Sequence, residues 1–203
     1  MIIDRASGWI EGVRRVDSAN CDDRSDAEDL SLIVVHGISL PPGEFGGAWI
    51  DRLFCGDLPP DAHPFFATIQ GLKASAHVLI DRAGRLTQFV PFCRRAWHAG
   101  VSEYRGRSGC NDFSVGVELE GTDEIPYADA QYEALATLIK ALRRAYPKLR
   151  RAEVVGHSDI APGRKTDPGP AFDWERLSKL LAARRRPANA SARGRPRRGD
   201  GHA

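Results

Sequence analysis

Residues 113–119, FSVGVEL, alternate between large apolar side chains and small or charged ones. Successive side chains of an extended strand point to opposite sides, so Phe113, Val115, Val117 and Leu119 share one face, and Ser114, Gly116, Glu118 and Glu120 share the other. The first face belongs to a core. The second carries two carboxylates beside a glycine that leaves room, which suits the floor of a cleft, with Glu120 expected on the solvent side.

Outward from this strand, residues 128–146 keep a helical stripe of Tyr132, Leu135, Ala136, Ile139, Leu142 and Tyr146, which Pro147 ends. That helix should pack on the apolar side of the sheet. Residues 32–35 form a β-branched run that delivers His36 at its C-terminal end, and residues 76–80 and 86–90 read as antiparallel neighbours joined through DRAGR. Short helices are expected over 49–54 and 63–69. Residues 1–30 read as an edge segment followed by a surface loop. Residues 37–48, rich in Gly and Pro, read as a loop. Residues 93–112 read as a loop of unusual length, whose Trp97, His98 and Tyr104 mark it as a binding element. Residues 154–155 form a short strand ahead of His157, and a closing helix over 174–183 starts at Asp173 as N-cap. The fold class predicted is mixed α/β: one domain with a central mixed β-sheet flanked by helices.

At 203 residues and 42% apolar content, the chain can bury a sizeable core without disulfide staples. Cys21, Cys55, Cys93 and Cys110 lack C-x-x-C spacing, and the first residues contain no continuous apolar run. The thiols are therefore expected to be reduced, in a soluble cytoplasmic protein. No stretch reaches the ~18 apolar residues of a membrane span. Net charge is only +2, but residues 184–203 hold seven arginines and one aspartate with no large apolar side chain. That composition predicts a disordered basic tail after a domain spanning 1–183. The rest of the chain is acidic, which argues against nucleic-acid binding as the main business, and the expected working unit is a monomer.

Residues 154–174, VVGHSDIAPGRKTDPGPAFDW, present an imidazole, an ammonium and a carboxylate on a loop stiffened by Pro and Gly. Those types suit a metal together with an oxyanion. His36, His157 and Asp167 form a ligand set for catalytic zinc, although spacing alone reads each histidine equally well as a loop or strand-end residue.

Four strings, VVHGISLPPGEFGG, RAWHAGVSEYRGR, CNDFSVGVELEG and IAPGRKTDPGPAFDW, resemble those of the AmpD-type 1,6-anhydro-N-acetylmuramyl-L-alanine amidases, within the zinc-dependent type 2 N-acetylmuramoyl-L-alanine amidases. The likeness runs in order from about residue 8 to residue 181. It implies Zn2+ on His36, His157 and Asp167, with Glu118 and Lys165 as catalytic residues. The implied reaction is hydrolysis of the amide between 1,6-anhydro-N-acetylmuramic acid and L-alanine of an anhydro-muropeptide, during cytoplasmic peptidoglycan recycling. Such a substrate is polyanionic, so Lys73, Trp97, Arg107 and Arg164 are the candidate substrate-binding residues. The chain departs from the family pattern in carrying Gly37 in place of an expected Asn, and Lys73 and Gly109 in place of expected Arg. Lys keeps the charge but loses the bidentate fork. Two other functions share these features in part: a non-catalytic receptor for peptidoglycan fragments, and an exported amidase acting on intact peptidoglycan. A nucleic-acid binder working through the tail is a further alternative.

Overall fold

The computed structural model describes residues 1–183; the predicted Arg-rich tail, residues 184–203, lies outside the described residues. Its centre is a six-stranded sheet. In chain order the strands are β1 (Arg14–Arg15), β2 (Leu32–Ile38), β3 (Val78–Ile80), β4 (Leu86–Gln88), β5 (Ser114–Glu120) and β6 (Val154–Gly156). Their spatial order is β6-β2-β5-β3-β4-β1. β5 runs parallel to both β2 and β3, β6 parallel to β2, and β1 parallel to β4; only β3 and β4 are antiparallel. The sheet is mixed, as predicted, and the hairpin between β3 and β4 turns through Asp81, whose Oδ1 accepts from the backbone N–H of Ala83 and Arg85, both at 2.9 Å.

Helices cover both faces. On one side α3 (Asp129–Ala145) and α5 (Trp174–Ala182) pack against Ile33, Val35, Val78, Ile80, Val115, Val117 and Leu119. The α3 stripe predicted from the sequence is buried along this seam, and Gln131 at its start is fully buried. The Gln131 amide donates to the carbonyls of Ile80 (3.2 Å) and Glu120 (3.0 Å), tying the helix to the C-terminal ends of β3 and β5. Pro147 then stops the helix, since it can supply no N–H to the ladder. α5 begins as predicted: the Asp173 carboxylate accepts from the Arg176 backbone N–H at 2.8 Å. On the other face, α1 (Trp49–Cys55) and α2 (Pro64–Thr68) bury Ile50, Leu53, Phe54 and Phe66 against Leu79 and Phe89.

Several local expectations change. Phe113 lies just before β5 and packs on the opposite side from Val115, with Leu32, Val34 and Ile160. β5 is buried on both faces, so Glu120 is not on a solvent side. It is buried, and its carboxylate accepts from the N–H of Gly46 and from the N–H of Arg82 (3.3 Å). β2 continues through His36 to Ile38 because β5 and β6 flank it. Residues 1–30 supply more than a surface loop, since β1 is an edge strand of the main sheet and Cys21–Asp23 pairs with Arg94–Ala96. The segment 93–112 is also more ordered than composition suggested, with a small hairpin of Glu103–Tyr104 and Arg107–Ser108 and a 3-10 turn at Cys110–Asp112. Buried Arg24 rivets this segment in place: its guanidinium donates to the carbonyls of Phe92, Asn111, Asp112 and Ser114 at 2.8–3.2 Å.

Candidate metal centre and active site

The parallel pairing of β2 and β5 sets Glu118 directly opposite His36. β6, paired to the other side of β2, ends at Gly156, so His157 emerges at the same level as the first residue of the short helix α4 (His157–Ile160). The chain then turns through the Pro- and Gly-rich loop and returns. The Ser158 N–H donates to the Asp167 carbonyl at 3.0 Å, which pins the loop's far arm to the start of α4. The Tyr127 hydroxyl holds the next carbonyl, that of Pro168, at 3.0 Å.

These elements bring together His36, His157 and Asp167, whose candidate donor atoms lie within 4.8 Å of one another. His36 Nδ1 and His157 Nδ1 are 3.0 Å apart, and Asp167 Oδ2 is 3.2 Å from each. His157 Nε2 faces the Ala99 carbonyl at 3.1 Å and so carries its proton there, leaving Nδ1 as a lone pair. A carboxylate oxygen carries lone pairs only. Acceptor atoms that converge in this way repel one another unless a cation lies between them, and two imidazoles with one carboxylate and an open side are a donor set for a catalytic metal. The residues fit such an ion.

Glu118 and Lys165 line the same cleft, a cavity of about 190 Å³ whose other walls include Leu53, Phe54, Leu72, Ala74 and Trp97. Glu118 is buried, and its Oε2 has no hydrogen-bond partner. Burial, and then the Asp167 carboxylate, hold its carboxyl well above the usual range against the pull of Lys165. Burial pushes Asp167 up too, but hydrogen bonds from His157 and His36 outweigh it and keep the carboxylate below the usual range. A roomier depression of about 670 Å³ lies beside Arg14, Arg82, Arg85 and Glu120. Its charges are largely paired, Arg14 with Asp51 and Arg85 with Asp81, and it holds none of the His36, His157 and Asp167 set.

Of the predicted substrate contacts, Trp97 lines the cleft, with its indole N–H donating to Asp22 at 3.0 Å. Lys73 lines a separate depression of about 270 Å³, although its neighbours Leu72 and Ala74 reach the cleft. Arg107 is not brought there. It pairs with Asp29 at 2.7 Å and lies over the Phe113 ring, near the N-terminal end of β2. Arg164 spends its guanidinium on the carbonyls of Ala99 (2.6 Å) and Val101 (2.7 Å), strapping the metal-side loop to the 97–109 segment. Gly37 has the Tyr127 hydroxyl against it: a Cβ there would fall 2.3 Å from that oxygen, so Tyr127 must move for any side chain at 37. The room left by Gly116 is not open cleft, because the His98 ring fills it.

The buried histidines make the metal-free protein acid-sensitive. Burial, assisted by His157 and Lys165 and opposed by Asp167, lowers His36 from 6.5 to about 4, and burial first of all holds His77 and His98 well below the ordinary value. The unfolded chain takes up protons that the folded histidines refuse, so stability is full above the unfolded value and falls as pH drops, for His36 between 6.5 and about 4. Each such histidine contributes a slope of up to about 1.4 kcal/mol per pH unit. Glu118, raised in the fold, works in the opposite sense and offsets only part of this. The Tm of chelator-treated protein is expected to fall clearly from pH 7 to pH 5 by calorimetry; an unchanged Tm would contradict neutral burial of these rings.

Residues 26–170 match the family model described as N-acetylmuramoyl-L-alanine amidase. The chain is 59% identical over 175 residues to a protein of Escherichia coli (strain K12) named 1,6-anhydro-N-acetylmuramyl-L-alanine amidase AmpD, covering 86% of this chain and 95% of that one. The crystal structure of a Se-Met AmpD derivative superposes with a TM-score of 0.85 at 57% identity, covering 89% of this chain and 99% of that chain. A complex of the N-acetylmuramyl-L-alanine amidase AmiD from E. coli with the substrate anhydro-N-acetylmuramic acid-L-Ala-D-gamma-Glu-L-Lys matches with a TM-score of 0.53 and 30% identity, over 75% of this chain and 57% of that chain.

Proposed function

Because the chain belongs to the N-acetylmuramoyl-L-alanine amidase family, we propose that it uses zinc to hydrolyse the amide joining 1,6-anhydro-N-acetylmuramic acid to the L-alanine of a stem peptide, in peptidoglycan recycling. The observation that carries this reading is the meeting of His36, His157 and Asp167 with Glu118 and Lys165 in one cleft. His36 Nδ1, His157 Nδ1 and Asp167 Oδ2 would hold the ion. When bound, zinc supplies Lewis-acid polarisation of the scissile carbonyl and lowers the pKa of water.

The chain's own groups do the rest. Glu118, on the strand beside His36, takes a proton from the attacking water as the new C–O bond forms. It then delivers that proton to the alanine nitrogen as the C–N bond breaks. Its raised proton affinity suits a carboxyl that must hold a proton between these events, and a dication nearby would moderate it. Lys165 places an ammonium on the same cleft, where it stabilises the negative charge that gathers on the carbonyl oxygen. Trp97, Leu72 and Phe54 form an apolar wall for the sugar and lactyl group. Lys73 is assigned to the carboxylates of the peptide beyond the rim. Arg107 and Arg164 would serve as substrate contacts only by giving up Asp29 and the two carbonyls they now hold.

We place the reaction in the cytoplasm, by analogy with a recycling role, and take the monomer as the working unit, because one chain supplies all five groups. No helix among the described residues is long and apolar enough to cross a membrane. The catalytic domain is assigned to residues 1–183, with 184–203 outside it. Mass spectrometry of purified anhydro-muramyl tripeptide, with and without chelator and beside intact sacculi, tests the assignment. Chelator-sensitive release of tripeptide with sacculi untouched is the expected result. No release from protein carrying stoichiometric zinc would favour a fragment receptor instead.

A further inference from the structure

The geometry points to His98 as a positioning residue: with Ser114 it fixes the tautomer of His36 so that the Nδ1 lone pair of His36 faces the metal position. This inference rests on the zinc reading and adds a residue that the reading does not use. The chain of partners can be followed atom by atom. The Cys110 carbonyl can only accept, so the Ser114 hydroxyl, 2.6 Å away, spends its one proton there. Ser114 Oγ must then accept from its other close neighbour, His98 Nε2, at 3.1 Å. His98 is buried among His36, His77 and Arg24, which together with desolvation keep it neutral, so a proton on Nε2 leaves Nδ1 as an acceptor. Facing that acceptor at 2.9 Å is His36 Nε2, which therefore carries the proton. What remains on His36 is the Nδ1 lone pair, 3.2 Å from Asp167 Oδ2.

The His98 ring is placed for this contact by the backbone around it. Asn111 Oδ1 accepts from the N–H groups of both His98 (3.1 Å) and Ala99 (2.8 Å), which fixes where the side chain starts. Gly116 fixes where it lies: a Cβ on residue 116 would sit 2.3 Å from the His98 ring. The ring then meets His36 edge-on, with centroids 5.0 Å apart at 79°. His157 needs no such relay, since its Nε2 rests on a main-chain carbonyl. The two imidazoles thus reach the same tautomer by different means, and only that of His36 hangs on a side chain.

An amide swap on the full-length protein separates this role from simple packing. Asn places its oxygen where His98 Nδ1 stands, whereas Gln places its amide near the Nε2 position. Zinc affinity, measured by competition with a chromophoric chelator, is expected to fall by about 10–100-fold in His98→Gln, the usual cost of losing the group that orients a metal-binding histidine. In His98→Asn it should stay close to wild type. Equal weakening in both variants, or in neither, overturns the proposal. Should either variant fail to fold, ¹⁵N-histidine spectra of the zinc-loaded wild type decide the matter. Protons on Nε2 of both His36 and His98 are expected, and a proton on His98 Nδ1 would overturn the relay. A wild-type protein that binds no zinc would overturn the metal assignment itself, and this inference with it.

Discussion

Glu118→Gln is expected to lower kcat by about 10²–10⁴-fold, the usual contribution of a positioned acid/base group, with zinc content unchanged. Glutamine keeps the shape of the side chain on β5 but cannot take a proton from water and return it to the leaving amine. KM should move little, because the lost interaction exists chiefly in the transition state. Stability supplies an independent readout. Glu118 is buried with Oε2 unpartnered, and its raised proton affinity means that ionising it at neutral pH opposes folding. The metal-free variant should therefore melt no lower than wild type, and higher at neutral pH. A wild-type turnover rate would remove Glu118 from the mechanism; a variant that loses both zinc and activity would recast it as part of the metal site.

Asp167→Asn should cost the protein its metal. Among the three donors only the carboxylate brings formal negative charge, and only it lies 3.2 Å from both imidazole nitrogens. The amide is neutral, and its nitrogen can present protons where a lone pair is wanted. The loss in zinc affinity should exceed the roughly 10–100-fold typical of outer-shell changes. At stoichiometric zinc, tripeptide release should vanish. Metal content after gel filtration, measured by atomic emission, checks this directly, and full retention of zinc in the variant would mean that the ion is held elsewhere.

The parts of the molecule legible in the sequence are those governed by local periodicity. Alternation from 115 to 119 identified the strand and its core face, the 3.6-residue stripe identified α3, and Asp173 announced α5. Residue types also picked out His36, His157, Asp167, Glu118 and Lys165, but only the family resemblance joined them. Their meeting depends on β5 lying between β2 and β3 and on β6 lying beside β2, parallel pairings between distant segments that leave no short-range signal. For the same reason Glu120 looked like a solvent-side residue: nothing near it in sequence shows that Gly46 and Arg82 cover it. Phe113 fell on the wrong side because an alternating pattern does not mark where pairing begins. The segment 93–112 read as irregular because its order comes from Arg24, an anchor about seventy residues upstream by the numbering. His98 was visible as a residue of interest, and Gly116 as a gap; that one fills the other is a tertiary fact.

The pairing of Glu118 with His36 across β5 and β2 also governs which features of the site can be tuned. Neighbours in a ladder cannot drift by fractions of an ångström: a slip of one residue would turn either side chain to the opposite face and carry the whole strand's apolar set with it. The distance between proton carrier and first donor is thus a discrete quantity, protected by every hydrogen bond in the two strands. Asp167 and Lys165, carried on an irregular loop, have no such detents. Gradual variation in metal affinity or in rate is therefore confined to residues 161–170 and their supports, while the β2–β5 pair stays fixed or fails outright.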